Sequence, residues 1–206
     1  MESEFYYHHF KRGVAYYNSG DFESAVHEFT RAIKLDAASL NAYLFRALAN
    51  KECCGQDAAK KDYRKIIRLD SDSPQGYFAK AQLYLDAEYH RVGRNLPQAY
   101  REVAVIYSWA IDLDSDFTQA YFSRGEVRYE LGDYFGAISD YDRSIELDRA
   151  FAFAYFRRAQ AREKIKDYRG AIRDLEYYLD LPMGATWNST VKKNIGAYWY
   201  QLSFQA

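Results

Sequence analysis

Hydrophobic and polar positions along this chain follow a helical period. Around Asp133-Tyr134-Phe135-Gly136-Ala137, the apolar residues Tyr134, Ala137, Ile138, Tyr141 and Ile145 stand at i, i+3, i+4, i+7 and i+11, which is one face of an amphipathic helix. Just ahead, Leu131-Gly132-Asp133 supplies a helix stop and then an N-cap. Asn18-Ser19-Gly20-Asp21 does the same near the start. The pattern predicts a helix, a tight turn and a second helix, used repeatedly.

The repeat is periodic. Leu35-Asp36, Leu69-Asp70, Leu113-Asp114 and Leu147-Asp148 are separated by 34, 44 and 34 residues, a period of 34 with one insertion of ten. Other columns keep step: Gly13, Ala47, Ala81, Gly125 and Ala159; Ala25, Ala59, Val103, Ala137 and Ala171; Phe29, Tyr63, Tyr107, Tyr141 and Leu175. Leu181-Pro182 closes a fifth copy. The units fall at 6–39, 40–73, 74–117, 118–151 and 152–185, after a lead-in over 1–5. Two helices cannot bury their apolar faces alone, so stacked neighbours must supply the core. Over 186–206, Val191, Ile195 and Trp199, with Tyr198 and Leu202, make an i, i+4 stripe behind the cap candidates Asn188 and Ser189. A capping helix over the last repeat is expected.

These columns resemble the tetratricopeptide repeat. The family pattern of small residue, Tyr, Ala, aromatic and Ala is matched in the first unit by Gly13, Tyr16, Ala25, Phe29 and Ala32, and in the fourth by Tyr121, Gly125, Ala137 and Tyr141. The family's proline is replaced by Ala37, Ser71, Ser115 and Arg149. Its aromatic at the start of the first helix is Tyr43, Tyr77, Tyr121 and Tyr155, but His9 in the first unit. The resemblance implies an all-α, right-handed α-α superhelix, or solenoid, working as a protein-binding module. Family members that clamp the C-terminal carboxylate of a chaperone use Lys, Asn and Arg at places held here by Phe10, Val14, Phe45, Gln75 and Ala79, so that clamp is absent.

Spacing adds one electrostatic expectation. Arg12, Arg46, Arg124 and Arg158 precede Glu28, Asp62, Asp140 and Asp174 by 16 residues each, which predicts a partly buried ion pair between the two helices of four units; in the third, Lys80 meets Ile106.

In such a superhelix the first helix of each unit lines the concave side. The position after the tyrosine column then reads Phe10, Leu44, Phe78, Phe122 and Phe156. Either this column faces a ligand, as contiguous apolar surface often does, or it packs between neighbouring helices as core. With it the candidate groove comprises Tyr7, Lys11, Val14, Phe45, Gln82, Gln119, Glu126, Phe153 and Arg157. The insertion, around Tyr89 to Pro97, adds His90, Arg91 and Arg94 as loop candidates, with Asn95 and Pro97 reading as an early start for the following helix.

Composition narrows the chemistry. The 206 residues carry 28 Lys+Arg against 29 Asp+Glu, for a net charge of −1, which lacks the electrostatic footprint of a nucleic-acid binder. No apolar run reaches the ~18 residues of a membrane span, and Met1-Glu2-Ser3-Glu4 has no signal-peptide pattern, so a cytoplasmic location and no membrane partner are expected. The adjacent Cys53 and Cys54 give no disulfide framework and too few ligands for zinc. Phosphate loops, nucleophile elbows and metal-protease motifs are absent. With 21 Tyr, 13 Phe and 3 Trp, the chain is 18% aromatic. The expectation is a non-enzymatic module, with no cofactor or metal, binding an apolar or amphipathic peptide or helix of another protein. The rival is a structural subunit or homo-oligomer using the same aromatic surface; an RNA-binding helical repeat stands behind both.

Overall fold

The computed structural model describes residues 2–91, 95–185 and 188–203. These residues are all-α: α1 Glu2–Ser19, α2 Phe22–Leu35, α3 Leu40–Cys53, α4 Gln56–Leu69, α5 Pro74–His90, α6 Leu96–Leu113, α7 Thr118–Glu130, α8 Tyr134–Leu147, α9 Ala152–Lys164, α10 Tyr168–Asp180 and α11 Asn188–Leu202, with a 3-10 turn at Pro182–Ala185 before α11. The odd and even helices through α10 alternate as first and second members of pairs. Two compact units divide the chain: one of residues 1–99 and 105–115, the other of residues 100–104 and 116–206.

Short side chains start the helices. Asp21, Asp133 and Asp167 accept the backbone N–H of Ser24, Gly136 and Gly170 at 3.1, 3.0 and 2.9 Å, while Ser39, Ser73 and Asn95 cap α3, α5 and α6. Between pairs, the Leu-Asp step does what proline does in the family pattern. Asp36, Asp70 and Asp148 turn extended at the helix end, and their carboxylates accept the N–H of Ala38, Asp72 and Ala150 at 2.9, 3.1 and 2.9 Å. The lead-in expected over 1–5 is instead helical from Glu2. The Tyr6 hydroxyl, 2.6 Å from Ser39 Oγ, ties this first turn to the cap of α3.

The column Phe29, Tyr63, Tyr107, Tyr141 and Leu175 is fully buried on the second helices, and the small-residue column of the first helices lies against it. A methyl group on Gly13 would sit 2.6 Å from the Phe29 ring, and one on Gly125 would sit 2.7 Å from Tyr141. Alanine fills the same place at Ala47, Ala81 and Ala159, all without solvent exposure. Large aromatic against small residue is therefore the packing rule inside a pair.

Ion pairs lock the helices of a pair together. Arg46, Arg124 and Arg158 reach Asp62, Asp140 and Asp174 at 2.6, 2.7 and 2.5 Å through two guanidinium nitrogens each. Arg128 and Arg162 add a second cation to Asp140 and Asp174, at 2.8 Å each. In the first pair Arg12 lies 3.6 Å from Glu28, and His9 holds that carboxylate at 2.7 Å in its place. The tyrosine column stands beside these cations: Arg46, Lys80, Arg124 and Arg158 lie 5.5, 4.6, 5.6 and 5.5 Å from the ring centres of Tyr43, Tyr77, Tyr121 and Tyr155.

The ten inserted residues lengthen helices. α5 and α6 have 17 and 18 residues where other helices from α2 to α10 have 13 or 14, and α6 starts early under the Asn95 cap. At the other end α11 packs on α10, burying Val191 and Tyr198; the Tyr198 ring stacks on Tyr168 and its hydroxyl donates to Glu163 at 3.0 Å. Trp199, expected on the buried stripe, points to solvent, because Tyr198 one position earlier takes the inner place.

Candidate functional site

In the unit of residues 1–99 and 105–115, the first helices are α1, α3 and α5. Tyr7 is exposed, with the Lys11 ammonium 4.4 Å from its ring centre. Phe10 is half-buried in an aromatic cluster, 5.5 Å from Phe45, 5.7 Å from Phe29 and 5.9 Å from Tyr6. Val14 and Phe45 are half-buried beside it. Asn41 and Gln75 join α3 to α5 through a 2.9 Å hydrogen bond.

Phe78 and Leu44 do not belong to a binding face. Both have no solvent exposure, and the Phe78 ring lies 5.5 Å from Tyr107 and 6.4 Å from Tyr63. Here the phenylalanine column packs into the core against the second-helix aromatics. The reason is geometric: a first helix touches both its own partner and the neighbouring pair, so its buried stripe is wider than that of a surface helix. Gln82 is likewise turned inward, its Nε2 donating to the Tyr107 hydroxyl at 2.9 Å.

In the other unit the first helices are α7 and α9. Phe122 is half-buried, 4.8 Å from Phe151, 5.8 Å from Tyr141 and 6.4 Å from Phe153, while Phe156 lies 5.6 Å from Tyr178. Gln119 and Phe153 are half-buried. Glu126 accepts the Tyr141 hydroxyl at 2.6 Å and meets Arg157 at 2.8 Å, and Arg157 also donates to Gln160 at 3.0 Å. Burial, and then the Glu126 carboxylate, push the Tyr141 hydroxyl well above its ordinary range, so it stays protonated and donates. Arg157, one of the groove candidates, is thus neutralised within the fold. The repeat columns do not single out this Tyr141–Glu126–Arg157 network. The signal for it is the 15-residue spacing of Glu126 and Tyr141, repeated as 25 across the insertion by Gln82 and Tyr107.

Of the insertion candidates, His90 lies 3.6 Å from Asp86 and Arg91 3.2 Å from Glu88, both exposed and each one turn from its partner; Arg94 lies outside the described residues. Cys53 and Cys54 are free thiols. Burial raises the Cys53 thiol to about 12, which keeps it protonated at neutral pH. Among the described residues, no group of three or more His, Cys, Asp and Glu gathers to hold a metal ion, and no helix is long and apolar enough to cross a membrane.

Residues 9–38 and 118–151 each match a family model described as tetratricopeptide repeat. The chain contains tetratricopeptide repeats. The matched repeats are the α1/α2 and α7/α8 pairs; α3/α4 and α9/α10 carry the same columns at the same spacing, and α5/α6 carries them with ten residues inserted. The fold recurs in solved structures. One is TTC0263, a thermophilic repeat protein of Thermus thermophilus, 14% identical, with a TM-score of 0.66, over 95% of this chain and 99% of that one. Another is a chain of the APC/C hetero-tetramer Cut9-Hcn1, 16% identical with a TM-score of 0.63, over 95% of this chain and 36% of that one. A third is pilF of Pseudomonas aeruginosa, 16% identical with a TM-score of 0.50, over 99% of this chain and 93% of that one. No curated protein matches the chain. Repeats of this family form scaffolds for protein–protein interaction.

Proposed function

We propose that this repeat protein is a non-catalytic module that holds an apolar or amphipathic peptide or helix of a partner protein on the concave faces of its first helices. The observation that carries this reading is that first helices of both units keep aromatic rings at least partly accessible to solvent: the exposed Tyr7 and the half-buried pair Phe10 and Phe45 in one, the half-buried pair Phe122 and Phe153 in the other. In the first, the Lys11 ammonium 4.4 Å from the Tyr7 ring and the exposed amide of Asn41 on the next first helix are polar groups that would fix the orientation of a bound chain. The free thiols of Cys53 and Cys54 suit a reducing compartment such as the cytoplasm.

The test is affinity capture with wild type and with a Tyr7→Ala, Phe45→Ala, Phe153→Ala triple variant, with helicity checked by circular dichroism. Partners retained by wild type and lost by a fully helical variant are the expected result. Identical partner sets would remove the first-helix faces from the function. Phe78 is unsuitable for this experiment, since its truncation would open the core. Sedimentation at two concentrations separates a monomeric receptor from a self-associating subunit.

A further inference from the structure

The opposite side of the first unit, formed by the second helices, carries two strips that the repeat architecture does not require. On α4, Lys61, Arg64, Lys65 and Arg68 stand at i, i+3, i+4 and i+7 and share one outward face about 10 Å long. Among the described residues no carboxylate pairs with any of the four. The Lys65 ammonium lies 5.9 Å from the Tyr43 ring centre, and Arg68 Nε donates to the Arg64 carbonyl at 3.3 Å. The acids of α4 are engaged elsewhere: Asp62 is buried against Arg46, and Asp57 lies 3.3 Å from Lys60 at the start of the helix. A chain of net charge −1 therefore concentrates four unneutralised cations on one helix face.

On α6, Val105, Trp109 and Leu113 stand at i, i+4 and i+8 and are exposed by 50, 50 and 57%. Leu113 belongs to the Leu-Asp column shared by the repeats. Val105 and Trp109 are departures: the corresponding places are His27 and Arg31 on α2 and Lys61 and Lys65 on α4. The apolar strip of α6 and the basic strip of α4 thus occupy the same register on successive second helices of one unit.

We propose that this face docks an amphipathic, acidic segment of a partner protein, whose carboxylates meet Lys61, Arg64, Lys65 and Arg68 and whose apolar side covers Val105 and Trp109. Charge complementarity and an adjoining apolar strip select that chemistry together. A phosphate backbone would satisfy the cations and leave Val105 and Leu113 uncovered. A membrane surface would need apolar side chains that project into the acyl region, whereas the Trp109 indole lies against Tyr77, 5.8 Å between ring centres.

The experiment measures fluorescence anisotropy of a labelled, helix-forming peptide with glutamates at i, i+3, i+4 and i+7 and leucines on the adjoining face, beside a scrambled peptide of equal composition. Wild type should bind the patterned peptide more tightly than the scrambled one. The Lys61→Glu, Arg64→Glu, Arg68→Glu variant and the Trp109→Ala variant, each with wild-type helicity, should each lose at least tenfold in affinity. An Arg169→Glu, Arg173→Glu control on α10 should bind as wild type does, and so should the Tyr7/Phe45/Phe153 variant, which isolates this face from the first-helix reading. The proposal is overturned by no binding, by equal binding of the scrambled peptide, or by indifference to the α4 and α6 changes. Tighter binding of duplex RNA or phosphatidylserine vesicles, lost in the α4 variant, overturns the protein partner in favour of that ligand.

Discussion

The Tyr141 hydroxyl donates a 2.6 Å hydrogen bond to Glu126, and the same two positions are filled by Tyr107 and Gln82 one repeat earlier, at 2.9 Å. The second pair breaks the match. Leu48 stands where Gln82 and Glu126 do, and the buried Tyr63 hydroxyl has no hydrogen-bond partner among the described residues. The first pair avoids the problem by combining Val14 with Phe29.

An unsatisfied buried hydroxyl costs about 1–3 kcal/mol, and removing it without changing shape is neutral or favourable. Tyr63→Phe should therefore leave stability unchanged or raise it by about 1 kcal/mol, whereas Tyr141→Phe, which strips a bond from Glu126, should lower it by about 1 kcal/mol. Urea unfolding of the two variants beside wild type decides it; a Tyr63→Phe protein clearly weaker than wild type would mean that the hydroxyl has a partner.

Gly125→Ala tests the close approach of α7 and α8. Helix propensity alone favours alanine by about 1 kcal/mol. The new methyl would lie 2.7 Å from the Tyr141 ring, and overpacking a filled core costs about 1–3 kcal/mol. A net loss of stability is expected, read as a lower denaturation midpoint, although Ala47 and Ala81 hold the same place in other repeats.

The buried carboxylates differ in how firmly they are held. Asp140 receives Arg124 and Arg128, so Asp140→Ala leaves two cations facing an apolar cavity and should cost about 3–5 kcal/mol. Arg12→Ala should have little effect, since the exposed Arg12 sits 3.6 Å from a carboxylate that His9 already holds. Thermal denaturation of the pair of variants measures the contrast.

Acid should weaken the first repeat through Glu28. Burial raises its carboxyl, but the His9 hydrogen bond and the charges of Arg12, His9 and Arg31 outweigh it and hold the group below its ordinary value of 4.5. A depressed carboxylate stabilises the fold above the unfolded value, and that contribution fades as pH falls through the folded one. Between neutral pH and the region below 4.5, wild type should lose more melting temperature than Glu28→Gln. Parallel melting curves from pH 7 to pH 3 would refute this role.

Much of the architecture is legible in the sequence, because each repeat writes the same physical instruction. The Leu-Asp steps place the junctions, the 16-residue spacing places three arginine–aspartate pairs, and the cap residues place the turns. The candidate site is less legible. Phe10, Phe78 and Phe122 look equivalent in the column, yet Phe78 is sealed between Tyr63 and Tyr107 while the other two keep an open edge. Exposure of one ring depends on side chains of the helices before and after it, and a column of identical residues does not record them. The basic face of α4 is the reverse case: its spacing is readable, but only the structure shows that no carboxylate among the described residues neutralises it.

The long third repeat leaves Ser73 and Asp114, the caps at its two outer ends, where every other junction would have them. Most of the added length goes into α5 and α6, at the ends away from these caps. The third repeat thus absorbs extra chain without passing it on: the Leu-Asp step returns 34 residues later at Leu147-Asp148, so length added to this repeat is expected to leave the register of the others unshifted.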